Sequence, residues 1–240
     1  MRDSGYLATT SSQNVATGSL MVYVSGFNSS SYNGVGSTWN DLSGNGNNMT
    51  ISNATWNAAT KSFGFNGTNS IIYTPDLYTQ FVTSNSAFNQ TQEVWFKTSS
   101  SNGVIMCESN NLALNSWHDS QIELVGGSVK LRVWNLPSPY LTAGTNDSSR
   151  WNYVALRYNG ATTTVDGYYN GVAITPQTYT RQFGPSPASY LAILGQADFT
   201  NMGSGAYYNG NIAIYRNYKR ALTNVEILSN FNAERGLFGV

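Results

Sequence analysis

Charge is what this sequence has least of. Twelve Lys and Arg stand against twelve Asp and Glu in 240 residues, so the formal net charge is zero and charged side chains make up only 10% of the chain. No basic stripe is present to gather phosphates, which removes the electrostatic basis for binding nucleic acid. Cysteine is nearly absent. Cys107 is the only one, so no internal disulfide can form and folding does not call for an oxidising compartment. It lies in the apolar run GVIMCES and reads as a buried structural thiol, because no cationic neighbour would lower its pKa. His118 is the only histidine, and one His with one Cys cannot close a structural zinc site. Long apolar runs are missing as well. None approaches the roughly 20 residues that cross a bilayer, so no membrane partner is expected. Residues 1–19 lack the apolar stretch of a secretory leader, which leads to the expectation of assembly inside a cell.

What is abundant is Asn, Ser, Thr and Gly, with 16 Tyr, 10 Phe and 6 Trp. The most informative stretch runs from Trp151 to Gly171. Val154, Leu156 and Tyr158 alternate with Tyr153, Ala155 and Arg157, the period of a strand with two distinct faces. Asn159-Gly160 and Asn170-Gly171 each offer the dipeptide of a tight type I′ turn. Thr162–Val165 between them is β-branched. The stretch predicts a β-meander, and the rest of the chain predicts more sheet of the same kind. Short strands are expected at 20–24, 49–52, 62–65, 70–73 and 103–108, then at 112–117, 121–125, 128–134, 190–194 and 206–216. Pro75–Phe81 predicts a helical turn. Loops are expected over 136–150 and 175–189, both of which contain proline. Thr223 and Glu226 form a capping box, and Val225, Leu228 and Phe231 follow at helical spacing, with Gly236 as the stop. Residues 1–18 read as an extended polar arm, and 19–240 as one domain.

Several motifs in order resemble one family. TWNDLSGNGNN (38–48) is similar to a W-x-D-x-S-G-x-G-N segment, and FGFNGTNSIIY (63–73) to F-[DN]-G-[TS]-[DN]-D-Y. Glu93–Lys97, Trp151–Gly160, Tyr168–Gly171 and Gly210–Ile227 follow in the same order. Together they resemble the LamG-like jelly rolls of the concanavalin A-like lectin/glucanase superfamily over roughly residues 20–240. The resemblance implies an all-β, two-sheet antiparallel jelly-roll sandwich with a short C-terminal helix. Versions this polar and this poor in cysteine resemble phage and other virus structural proteins.

The superfamily includes glycan hydrolases. A retaining glycosidase needs two carboxyl groups about 5–5.5 Å apart, and the glucanases of this fold carry them on an E-x-D-x-x-E strand. No such strand occurs here: Glu93 and Glu123 have no acidic neighbour in their segments, and Glu226 belongs to the cap. The chain is therefore expected not to be an enzyme. Two kinds of site remain. Trp117, His118, Trp134 and Tyr140 lie in or near expected loops and could form an aromatic sugar platform, although Trp117 and Trp134 could equally be core and His118 a surface loop histidine. Asn66 and Asn69 occupy a turn where the family offers calcium ligands, but amide oxygens there carry no charge and serve a tight turn as well. Calcium is the one cofactor left open. The expectation is a structural or recognition module on a virion surface: a capsid decoration, fibre or tail part. It would contact other virion subunits through residues 1–18, and could also bind cell-surface glycan or a second copy of itself. The alternative is an extracellular lectin or receptor-binding module.

Overall fold

The computed structural model describes residues 15–82, 89–113, 118–133, 141–178, 189–196 and 207–240. The first strands are β1 (Leu20–Ser25), β2 (Thr38–Trp39), β3 (Met49–Ser52), β4 (Thr55–Asn57), β5 (Ser62–Asn66) and β6 (Ile71–Tyr73). A short helix α1 (Tyr78–Val82) precedes β7 (Gln90–Lys97), β8 (Gly103–Ser109), β9 (His118–Val125), β10 (Ser128–Arg132) and β11 (Leu141–Thr145). Then come β12 (Asn152–Asn159), β13 (Thr164–Tyr169), β14 (Val172–Thr178), β15 (Leu191–Leu194) and β16 (Asn209–Tyr218). Helix α2 (Asn224–Glu234) and a 3₁₀ turn at Arg235–Phe238 follow.

These strands form two antiparallel sheets. The first runs β14-β13-β12-β7-β16-β5-β4, with β1 also paired to β16, and the second runs β11-β10-β9-β8-β15-β6-β3-β2. The order is the two-sheet jelly-roll sandwich that the motifs imply. Alternation places the faces as expected. Val154, Leu156 and Tyr158 join the core between the sheets, while Tyr153 and Ala155 face outward beneath α2 with Trp95 and Phe231. Among the described residues no helix is long and apolar enough to cross a membrane.

Four expectations change. Asn170 and Gly171 both have positive φ and close a two-residue turn, but Asn159-Gly160 does not form one. The Asn159 side chain instead accepts from the Ala161 amide at 3.1 Å, an Asx turn that delays β13 until Thr164. The proline loops contain strands: β11 lies within 136–150, and β14 carries Pro176. Proline is tolerated because β14 is an edge strand and its register slips opposite Asp166, between the pairs Val165–Gln177 and Gly167–Ile174. His118 belongs to strand β9, opposite Ser109, rather than to a loop.

The last change concerns α2. Its capping box forms: Thr223 Oγ1 accepts from the Glu226 amide at 3.2 Å, and Glu226 Oε2 accepts from the Thr223 amide at 2.8 Å. The buried face, however, is Ile227, Asn230, Phe231 and Glu234, and Val225 is 76% exposed. Two polar side chains displace the apolar one because the sheet beneath supplies their partners. Gly236 lies inside the 3₁₀ turn, and Gly239, at φ 69°, ends it.

Candidate functional site

The titratable clusters that the fold assembles are buried. On the outer face of the first sheet, Arg216 of β16 donates to Glu93 of β7 and to Glu234 of α2, and all three side chains are at most 1% exposed. Between the sheets, Glu108 accepts from Gln92 at 2.8 Å and from Tyr190 at 2.6 Å, with Gln90 also donating. Both clusters spend their carboxylate oxygens on protein donors. Glu123 differs. Its neighbours Ile122 and Leu124 enter the core, and Glu123 faces the other way, opposite Lys130, fully buried with neither carboxylate oxygen hydrogen-bonded. Burial raises its pKa to about 7, against the pull of Arg132 and Lys130. Among the described residues no three His, Cys, Asp or Glu side chains converge as a metal site.

The motif at 38–48 works as a staple. Asp41 Oδ1 accepts from the Tyr23 and Ser43 amides, and Oδ2 from the Asn47 amide and the Ser43 hydroxyl. Asn45 and Asn47 donate to carbonyls of β1. At the next turn, the structure does bring Asn66 and Asn69 together. Asn66 Oδ1 accepts from the amides of Thr68, Asn69 and Ser70, and Asn66 Nδ2 donates to Asn69 Oδ1 at 2.8 Å. These oxygens already hold the turn, so a calcium ion there would have to displace those bonds.

The open site lies at one edge of the sandwich, where the loop after β1 meets the β4–β5 hairpin. Gly26 lets them touch: a Cβ there would fall 1.9 Å from the Lys61 carbonyl oxygen. The loop is fixed internally by the Ser31 hydroxyl, which donates to the Asn40 carbonyl at 2.6 Å, and by Tyr32, whose hydroxyl donates to the Gly36 carbonyl at 2.9 Å. Across from it, Trp56 pairs with Phe63 in register. The half-buried Trp56 ring is held by Tyr32, 5.0 Å between centroids at 60°, and by Phe63 at 5.2 Å. These walls enclose a pocket of about 380 Å³ whose lining includes Phe27, Ser29, Asn33, Trp56 and Lys61. Within the described residues, Trp56 Nε1, Lys61 Nζ, Asn33 Nδ2 and Ser29 Oγ all lack a protein partner. An aromatic wall with unspent polar side chains around it is the ordinary make-up of a small-molecule site.

The expected sugar platform does not coincide with this pocket. Trp117, Trp134 and Tyr140 lie outside the described residues, and of His118 only the strand backbone is described. Trp56 escaped notice because β4 is three residues long and carries no periodicity. A tryptophan beside Asn57 and close to Lys61, in a segment otherwise small and polar, was the available signal.

The comparisons agree on the fold. A family model described as the concanavalin A-like lectin/glucanases superfamily matches residues 65–228. No curated protein matches the chain. Among solved structures, a Trypanosoma rangeli sialidase in complex with sialic acid aligns with TM-score 0.68 and 14% identity, over 93% of this chain and 34% of that one. A structure of botulinum neurotoxin type C, whose cell entry is described as dependent upon interaction with two ganglioside molecules, aligns with TM-score 0.65 and 13% identity, over 90% of this chain and 51% of that one. The binding domain of botulinum neurotoxin serotype D aligns with TM-score 0.60 and 13% identity, over 91% and 52%. The chain thus spans about a third of the sialidases and about half of the neurotoxin chains it resembles. One expectation is corrected here. The sequence argument excluded an enzyme from its missing carboxylate strand, yet the first solved structures matched are sialidases, at 14–16% identity. The same fold forms part of glycan-processing chains, so that exclusion does not stand. At this identity the likeness is one of fold alone.

Proposed function

The chain belongs to the concanavalin A-like lectin/glucanase superfamily, and on that footing we propose that it is a carbohydrate-recognition module whose sugar rests against Trp56. One observation carries this reading: an indole ring held by Tyr32 and Phe63 walls a pocket of about 380 Å³ lined by unspent polar groups. A sugar ring offers an apolar face to an aromatic side chain and hydroxyls to the surrounding donors. The fold likeness to chains solved with sialic acid or tied to gangliosides supports the same class of ligand. A glycan array probed with the full chain and with Trp56→Ala and Trp56→Phe tests it, run with calcium and again with chelator. Binding that disappears in Trp56→Ala and weakens in Trp56→Phe supports the reading. No binding to any glycan, or equal binding by Trp56→Ala, overturns it. Loss in chelator alone would bring calcium, and the turn at Asn66 and Asn69, back into the account.

A second reading places this module on a virion surface, with the N-terminal arm holding a neighbouring subunit. Its arm is shorter than the expected 1–18, because the last residues of that span pack on the sandwich. The Ala16 amide donates to Asn230 Oδ1 at 2.8 Å, Arg220 Nε donates to the Gly18 carbonyl at 2.7 Å, and Val15 is buried. Residues 15–18 are thus part of the sandwich, and residues 1–14 are the segment left for a partner. Removing 1–14 should abolish assembly with that partner and leave the fold intact, and assembly that survives the deletion counts against this role.

A further inference from the structure

Resting on the carbohydrate reading, we infer that the Trp56 pocket selects a sugar that bears a carboxylate, and that Lys61 reads the acid. Lys61 supplies the pocket's one formal charge, since no Asp or Glu lines it. It is also the one described cation that the protein leaves unengaged. Lys97, Lys130, Lys219 and Arg235 donate to protein oxygens. Arg150, Arg157, Arg216 and Arg220 pair with carboxylates, and Arg132 acts on Glu123. A chain with so few charges that engages every other described cation and leaves this one beside an aromatic wall offers an anion-reading position.

The backbone fixes where that side chain begins. Lys61 has φ 52°, in the left-handed region where Gly or Asn sits with less strain. Its carbonyl is pressed against Gly26, so the backbone of this residue is held at the rim of the pocket. The other unspent nitrogens, Trp56 Nε1 and Asn33 Nδ2, are donors too, while Asn33 Oδ1 already accepts from the Val35 amide at 3.2 Å. A pocket rich in donors favours a ligand rich in acceptors, which a sugar acid is and a plain hexose is less. The chemistry is shared by uronic acids and by sialic acids.

Two matched pairs of probes test it by titration of the full chain: methyl β-glucuronide against methyl β-glucoside, and 3′-sialyllactose against lactose. The acid of at least one pair should bind about tenfold or more tightly than its neutral partner, the range a charge-assisted hydrogen bond gives. That preference should shrink as salt is raised, because the ammonium is exposed, and vanish in Lys61→Met. Lys61→Asn, which suits the left-handed backbone, should lose the preference with no fall in thermal stability, separating recognition from folding. Acid and neutral partners bound equally, with Lys61→Met silent, overturns the inference and leaves the carbohydrate reading in place. Failure of all four probes, together with an empty glycan array, removes both.

Discussion

Arg216 Nη1 donates to Glu93 Oε2 at 3.1 Å across two adjacent strands of the first sheet, with the arginine side chain wholly buried and the glutamate 1% exposed. The same guanidinium holds Glu234 and lies 4.4 Å from the centroid of the Tyr23 ring, while its Nε has no partner. Glu93 also accepts from Tyr153 at 2.8 Å and from Asn230 at 3.0 Å. The cluster is the lock that seats α2 on the sheet.

Breaking that lock should be costly. Arg216→Leu leaves two buried carboxyls without their cation, and removal of one partner of such a pair destabilises by about 3–5 kcal/mol. Burial already pushes the Glu93 carboxyl up, and without the guanidinium it rises further. Protonation then relieves the variant, so the loss measured by urea unfolding should be smaller at pH 5 than at pH 8. An equal loss at both pH values would mean that the carboxyls do not carry the cost.

Glu123 should make the native protein less stable as pH rises. Its folded pKa is about 7 against an ordinary 4.5, so between these values the folded state holds a proton that the unfolded state has released. Stability therefore declines as pH increases from about 4.5 through about 7 and is level above, by roughly 3 kcal/mol at about 1.4 kcal/mol per pH unit. Glu123→Gln should flatten this portion of the stability curve. A wild-type curve that rises over the same range would contradict the assignment.

The cap at the start of α2 is a smaller and more local matter. Thr223→Ala removes the acceptor for the Glu226 amide and should cost about 0.5–2 kcal/mol. Glu226 is held down to about 2 chiefly by its hydrogen bonds from Arg220, with Thr223 adding to the effect. Its share of stability is present above pH 4.5 and lost as pH falls toward 2. Thermal melts of Thr223→Ala and Arg220→Ala at pH 7 and pH 3 check both statements, with Arg220→Ala approaching wild type at the lower pH and Thr223→Ala keeping most of its deficit.

How much of this was legible in sequence follows from range. The meander faces, the turn at Asn170-Gly171 and the cap at Thr223 depend on neighbours a few residues away, and they stand in the structure as read. The turn at Asn159 was misjudged because the same residue type can build an Asx turn, and nothing local chooses between the two. The buried face of α2 was misjudged because Asn230 and Glu234 look like surface residues until Glu93 and Arg216 are placed beneath them. The pocket depends on Gly26, Tyr32, Trp56 and Lys61, which come together only when the loop after β1 is laid on the β4–β5 hairpin. Trp56 had no periodicity to mark it, whereas Trp117 and Trp134 drew attention through the loops expected around them.

The central claim is that a sugar sits against Trp56. The most direct measurement is a ¹H–¹⁵N spectrum of the full chain with its tryptophan indole signals assigned, the Trp56 signal from Trp56→Phe, titrated with 3′-sialyllactose and with methyl β-glucuronide. The account expects the Trp56 Nε1–H signal to shift saturably with at least one of them while Trp39 and Trp95, both fully buried, hold still. Saturable shifts confined to Trp117 or Trp134, or no shift at any indole, would contradict it.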